Sequence, residues 1–357
     1  MQLKTIPKNF IINMINSDHG KTESNFLLHG LSIKNNSEKD IILKEISFEL
    51  YASDNFVKQI SYQGKALDYT IKKFAKECTW LGEGFGARLF LGEDRFYNPQ
   101  EYSSSMLLKV NQETGIFNEY FIVIYTEIID RLVAVVTYSM DEQDYKEELA
   151  LPLIQYQNKN DYIFPLKGCF STCGNYNNLL DHRQHYSMEF AVDMAQYNEE
   201  QKLFFKEDMQ KEDHIIYGKE IIAIADGEVM DCYNDFPFTS SWVWEERKPY
   251  FDKYGALPSQ CGNYVSLKHA NGEYSFYGHM IMGSVAVNIG DKVKQGQVIG
   301  KVGHTGMSNC PHLHFQLMDG PDFSSSRGLP CSFTNIEDVC GNPVGIINEN
   351  NLIVHTK

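Results

Sequence analysis

The sequence predicts a mainly-β chain of two domains, a β-sandwich-like domain over residues 1–160 followed by an antiparallel-β domain over residues 161–357. Three observations predict this. The chain has 357 residues, more than a single hydrophobic core usually organises. Its apolar residues fall in short runs rich in β-branched and aromatic side chains, separated by polar or Gly-containing turns. The histidines are segregated: eight of the 11 lie between His182 and His314, so the two halves differ in chemical content.

Composition narrows the function before any motif is read. A 43% hydrophobic share with 13% aromatics fills cores and argues against disorder. With 32 basic and 47 acidic residues the formal charge is −15, the wrong sign for a nucleic-acid partner. No apolar run approaches the ~20 residues of a transmembrane helix. Lys4 and Lys8 precede an apolar stretch, Phe10–Ile15, that is short and broken by Asn13, which makes a poor signal peptide and leads us to expect a cytoplasmic protein. Eight cysteines are too sparse for a disulfide scaffold, and reduced thiols are expected. Spacing alone leaves a disulfide open within Cys169/Cys173 or Cys331/Cys340.

In the first domain, residues 1–21 read as a polar lead-in. Strand-like runs follow at Phe26–Ile33 and Ile41–Tyr51, flanking a polar turn at Lys34–Asp40. Asp68–Cys78 has the spacing of a short amphipathic helix with Asp68 as its cap. Ser104–Val110, Tyr120–Tyr125, Leu132–Tyr138 and Leu149–Leu153 complete a set of short strands, the pattern of a sandwich. No ligand or nucleophile cluster occurs here, and no chemistry is assigned to it.

The second domain is again strand-rich, at Ile221–Ala225, Tyr264–Lys268, Tyr274–Tyr277, Val298–Val302 and Leu313–Leu317. Two insertions interrupt it, Gln196–His214 and Tyr233–Cys261. The second holds Phe236, Phe238, Trp242, Trp244, Tyr250, Phe251 and Tyr254, which either pack on one another or wall a substrate cleft.

The sharpest signal is Pro311-His312-Leu313-His314-Phe315. In an extended segment His312 and His314 share one face while Leu313 and Phe315 enter the core. Two imidazoles on a rigid strand are half of a metal site, or a ligand beside a catalyst. Around them stand Gly290–Gly300, the loop Gly303-His-Thr-Gly306, Tyr277-Gly-His279-Met, Ile221–Gly227 and Ala191-Val-Asp193. Taken in this order, these segments resemble the lysostaphin-type (LytM-like) zinc metallopeptidases, the glycyl-glycine endopeptidase family, over a motif core of roughly residues 168–320.

The resemblance implies a Zn2+ held by an upstream histidine, by Asp193 and by His314, with His279 and His312 as the catalytic histidines. It departs from the familiar H-x-x-x-D spacing, because the position four before Asp193 is Glu189. His182 in Leu-Asp-His-Arg-Gln-His fits a longer spacing seen with an aromatic-Ala-x-Asp segment, here Phe190-Ala-Val-Asp193; His185 is the second choice and Glu189 a third. A straight strand of eight residues covers ~26 Å, so whichever histidine binds, the chain must loop back before Asp193. His269, His304 and Cys310 are expected to be structural or solvated, His304 in a solvated loop.

The chemistry that follows is hydrolysis of a peptide bond: the ion polarises water and carbonyl, and the two histidines move the proton and meet the oxyanion. The substrate class implied is a peptide or a peptidoglycan cross-link. The alternative is a catalytically inactive member that serves as a binding or regulatory module. A carrier-type sandwich shares the Gly290–Gly300 run but has no use for Asp193 with an H-x-H.

Overall fold

The computed structural model describes residues 1–18, 20–94, 96–98, 101–173, 182–200, 202–205, 210–237, 243–347 and 352–357. The chain divides into two units, Met1–Gln157 and Asn158–Lys357, and strands dominate both.

In the first unit, the long strand Lys21–Lys34 pairs antiparallel with Glu113–Tyr125, with Gln2–Ile6 and with Met14–Asp18. A second sheet orders Ile11–Ile12, Gln143–Ile154, Arg131–Met140, Ile41–Ala52 and Asn55–Gln63. Phe26, Leu28 and Leu31 of the first sheet and Ile46, Phe48 and Ala134 of the second belong to one buried cluster, which makes the unit a sandwich. Two expectations fail here. Residues 1–21 are no lead-in: they contribute three strands, because a strand that pairs on one side needs only a partly apolar face, and Gln2–Ile6 buries only its last two residues. The helix starts earlier, at Gly64–Leu81, after Gln63, whose side chain makes no capping bond. Asp68 lies inside it and pairs with Lys72 at 2.7 Å. Burial of Leu67, Ile71, Phe74, Ala75 and Cys78, one helical stripe, holds this helix rather than a cap.

In the second unit, nine described strands form one antiparallel run in the order Lys292–Val293, Gly227–Tyr233, Asn263–Lys268, Tyr274–Met280, Leu313–Met318, Val192–Gln196, Cys169–Cys173, Ile353–Thr356 and Ile336–Asp338. Glu220–Ile222 pairs separately with Val298–Lys301. Leu313 and Phe315 are buried on the core face, where Phe315 packs against Tyr277 and Phe333. That fixes the other face of the same strand for histidine. The insertion at Tyr233–Cys261 carries two helices, Trp244–Tyr254 and Ala256–Cys261. Phe236, Tyr250 and Tyr254 pack on one another, and the second helix ends at the wall of the cleft described below. Phe238 and Trp242 lie outside the described residues. Cys169, Cys331 and Cys340 are free thiols; the side chain of Cys173 lies outside the described residues.

Candidate metal centre and histidine pair

The register of the central strands builds the first half of the site. Val192–Gln196 lies beside Leu313–Met318 with Asp193 directly opposite His314, so the two side chains are cross-strand neighbours on one face. On the far side His314 faces Gly278, whose missing side chain leaves the face open; a Cβ there would meet His314 Cβ at 3.5 Å. His314 Nδ1 is 2.9 Å from Asp193 Oδ1.

The ring nitrogens of His314 can be told apart. Gln316 donates its amide N–H to the Ser187 carbonyl at 3.1 Å, which turns its own carbonyl oxygen toward His314 Nε2 at 3.0 Å. Nε2 therefore carries the proton, and Nδ1 faces the carboxylate. In a neutral ring that places a lone pair 2.9 Å from a carboxylate oxygen, an arrangement that calls for a shared cation.

His182 supplies the third group. It opens the 3-10 turn His182–Gln184, closed by the His185 N–H on the His182 carbonyl at 2.9 Å, and the chain returns through a turn in which the Ala191 N–H reaches the Met188 carbonyl. His182 Nε2 ends 3.6 Å from Asp193 Oδ2, and its ring centroid is 4.9 Å from that of His314. One ligand atom from each of His182, Asp193 and His314 lies within 4.8 Å of the other two. His185 lines the same cleft but is not one of these three. Glu189 is turned away from this role: it is buried and pairs with the buried Arg183, Nη1 to Oε1 3.4 Å.

His279 and His312 flank the centre with ring centroids 4.6 Å apart. Each gives its Nδ1 proton to a main-chain carbonyl at 2.7 Å, His279 to Thr305 and His312 to Cys310. Both rings thus turn Nε2 into the cleft, and His312 Nε2 is 3.6 Å from Asp193 Oδ1. His279 adopts the left-handed region at φ 60°, a strained conformation for a side-chain-bearing residue. His304, expected in a solvated loop, is buried and bonded to Ser308 at 2.7 Å; Ser308 in turn donates to the Cys310 carbonyl that holds His312. Nothing in its Gly-rich neighbourhood signals that burial. Cys310 thus contributes its carbonyl rather than its exposed thiol, and His269 is structural, bonded to the Asp226 carbonyl and to Ser275.

The electrostatics follow from this crowding. Burial opposes ionisation of Asp193, but the positive charge that His182, His312 and His314 carry when protonated outweighs it and holds the carboxyl well below the usual range in the absence of a metal. For His312 burial disfavours the cation, yet the Asp193 carboxylate and the Cys310 contacts raise it to about 9 in the metal-free protein. Burial, joined by the charges of His312 and His314, pushes His279 well below the ordinary histidine value. His304 is lowered to about 4, by burial and then by neighbouring His312, His214 and Lys211.

Two imidazoles and one carboxylate, inward-facing and partly buried, are a donor set suited to a zinc ion with a position left open. The three groups border a cleft of about 400 Å³, whose walls also include Met188, Gln260, Cys261, Met307 and Phe323.

Residues 214–324 match the model of Peptidase family M23, and the chain carries a domain of that family. The match begins after His182 and Asp193, the stretch in which the spacing departs from the familiar pattern. The glycyl-glycine endopeptidase ALE-1 of Staphylococcus capitis is 29% identical over 133 residues, 37% of this chain and 30% of that protein. Lysostaphin of Staphylococcus simulans is 39% identical over 72 residues, 20% and 14% of the two chains. The peptidoglycan DD-endopeptidase ShyC of Vibrio cholerae is 42% identical over 57 residues, 16% and 13%. These matches span under a third of each relative's length. Among solved structures, the catalytic domain of S. simulans lysostaphin aligns at 23% identity and a TM-score of 0.25, covering 46% of this chain and 85% of that one.

Proposed function

We propose that the second unit is a zinc-dependent endopeptidase that hydrolyses peptide bonds, with peptidoglycan cross-links as its substrate class. The observation that carries this reading is the convergence of His182, His312 and His314 on the single carboxylate of Asp193, with the His314 proton held on the far nitrogen by Gln316. When bound, the ion supplies a Lewis acid that polarises a carbonyl and acidifies water. His182 Nε2, an Asp193 oxygen and His314 Nδ1 would hold it. His279 and His312, each locked through Nδ1, offer Nε2 to the reacting groups: one accepts the proton of the attacking water, the other donates to the developing oxyanion. Met188, Met307 and Phe323 give the cleft an apolar part of its lining beside these polar groups. The substrate class is drawn from relatives named as glycyl-glycine and peptidoglycan endopeptidases.

The test is zinc content together with cleavage of soluble wall fragments and of unrelated peptides by the full chain. The proposal expects one zinc per chain, cleavage of wall fragments, and loss of both in Asp193→Ala and His314→Ala. Stoichiometric zinc without cleavage of any peptide would instead favour the inactive binding module.

A further inference from the structure

The ligand spacing raises a physical problem whose answer lies outside the ligand set. His182 and Asp193 are 11 residues apart, yet their side chains meet at 3.6 Å. The intervening loop must be held in one conformation, or the entropy of its many alternatives would oppose metal binding. Its tip is pinned at two points: the Ser187 carbonyl accepts from Gln316, on the strand that bears His314, at 3.1 Å, and the Tyr186 carbonyl accepts at 3.0 Å from the N–H of Gly328, in the short strand Gly328–Leu329 paired beside it. Gly328 permits that approach, since a Cβ there would lie 2.8 Å from the Ser187 oxygen.

Between the tip and the ligands, the two legs of the loop are tied by Arg183 and Glu189. Arg183 directly follows His182, and Glu189 stands four residues before Asp193. The guanidinium is 0% exposed and the carboxylate 1%, Nη1 lies 3.4 Å from Oε1, and the guanidinium carbon sits 5.2 Å from the Phe190 ring centroid. Burying two charges is costly, and an apolar pair of similar volume commonly serves stability as well or better. What an ion pair supplies that an apolar pair does not is a defined geometry.

We infer that the Arg183–Glu189 pair is a positioning device that presents His182 to the metal centre. Glu189 occupies the place at which the shorter spacing would put the ligand histidine, and here its carboxylate instead fixes the residue next to the substitute ligand. This inference rests on His182, Asp193 and His314 being metal ligands.

The test uses cobalt(II) and zinc as probes on the full chain, with affinity read from the visible absorption of cobalt and from zinc competition, and with a thermal melt of each variant. Arg183→Met and Glu189→Gln should bind both ions about 10–100-fold more weakly at temperatures where they remain folded, and Arg183→Lys should recover part of the loss. The double variant Arg183→Met/Glu189→Leu separates positioning from stability, and it carries the test if the single variants unfold. Positioning predicts a double variant that melts near the unsubstituted protein yet still binds cobalt weakly, with the weaker, altered spectrum of a site lacking one imidazole, as in His182→Ala. Unsubstituted affinity in a folded double variant overturns the inference and leaves the metal centre standing. Failure of the unsubstituted chain to bind either ion overturns the metal centre, and the inference with it.

Discussion

Replacement of Gln316 by leucine tests whether the metal-facing nitrogen of His314 is chosen by its neighbour. Gln316 is 1% exposed and uses both ends of its amide, donating to the Ser187 carbonyl and accepting from His314 Nε2. Leucine keeps most of the volume and removes both functions. The orphaned Ser187 carbonyl and His314 N–H then cost roughly 1–3 kcal/mol each. A neutral His314 is free to move its proton to Nδ1, where the Asp193 carboxylate 2.9 Å away accepts it, and so lowers the penalty at Nε2. That relief recovers stability at the expense of ligation, because the Nδ1-protonated ring has no lone pair to offer an ion at that position. Metal affinity should fall about 10–100-fold, that is roughly 1.4–2.7 kcal/mol. The melting temperature of the metal-free protein should fall by only about 2–12 °C, since each kcal/mol shifts a unit of this size by roughly 2–4 °C. Gln316→Glu should do the reverse: its carboxylate still accepts from Nε2 and keeps ligation within a few-fold, while the lost donor to Ser187 lowers stability. Zinc competition and differential scanning calorimetry on both variants check this. A Gln316→Leu protein that binds zinc like the unsubstituted chain would show that the tautomer is set elsewhere, and the reasoning about His314 would fail.

Other outcomes follow from the same contacts. His279→Ala and His312→Ala should retain zinc but lose about 10²–10⁴-fold in hydrolysis, whereas His314→Ala loses both; equal metal loss in all three would mean the roles are misassigned. Glu273 is fully buried and accepts from the Tyr162 hydroxyl at 2.7 Å, from the Asn160 amide at 2.8 Å and from the Lys159 N–H at 3.0 Å, so Glu273→Ala should cost on the order of 3–5 kcal/mol in chemical denaturation. A loss below ~1 kcal/mol would mean that water replaces the carboxylate. Burial depresses the pKa of His269, against the pull of the Asp226 carbonyl and the Glu273 charge. The unfolded chain then binds more protons in acid, so the contribution of His269 is complete above about pH 6.5 and is lost as the pH falls from there toward the depressed folded value. Melting curves in chelator between pH 4.5 and 7.5 should therefore be less steeply acid-sensitive in His269→Gln than in the unsubstituted protein; parallel profiles would refute the assignment.

What could be read from the sequence was whatever local spacing encodes. The alternation His312-Leu313-His314-Phe315 is a period-2 statement, and although all four residues are buried it correctly turns both imidazoles to the cleft and Phe315 to Tyr277 and Phe333, with His312 just ahead of the strand Leu313–Met318. The strand runs of the first unit were legible for the same reason, except where the apolar pattern is faint. Asn55–Gln63 alternates weakly and keeps most side chains in solvent, so no strand pattern marks it; Ser104–Val110 has an apolar centre but forms ladder pairs only at Leu107–Leu108. Register was not legible. That Asp193 faces His314 rather than a neighbour one residue away depends on pairing between segments 121 residues apart, and no local pattern specifies it. The roles of Arg183 and Glu189 were hidden too, because a charged pair in a polar stretch looks solvated until its burial is known. His304 was misplaced on the same ground. Ser308, which bonds it, stands four residues along and four before His312, a spacing that means nothing without the loop's geometry.

The site thus divides into parts with different origins, and the division predicts how they fail. Asp193 and His314 are fixed by strand pairing, which is as stable as the sheet that contains them. His279 and His312 are fixed by the carbonyls of Thr305 and Cys310, both in the one loop that runs from Gly303 to Pro311. His182 depends on a third structure, the returning loop tied by Arg183 and Glu189. A lesion in the Gly303–Pro311 loop should therefore disturb the His279–His312 pair and leave metal affinity close to its original value. A lesion at Arg183 should weaken the metal and leave the Nδ1 anchoring of the pair intact. Ser308→Ala is the sharpest instance of the first kind: it removes the hydroxyl that joins His304 to the Cys310 carbonyl, touches no ligand, and should lower hydrolysis while zinc competition curves overlay those of the unsubstituted chain. If zinc affinity instead falls in step with hydrolysis, the three supports are one coupled structure, and the separation argued from their contacts is wrong.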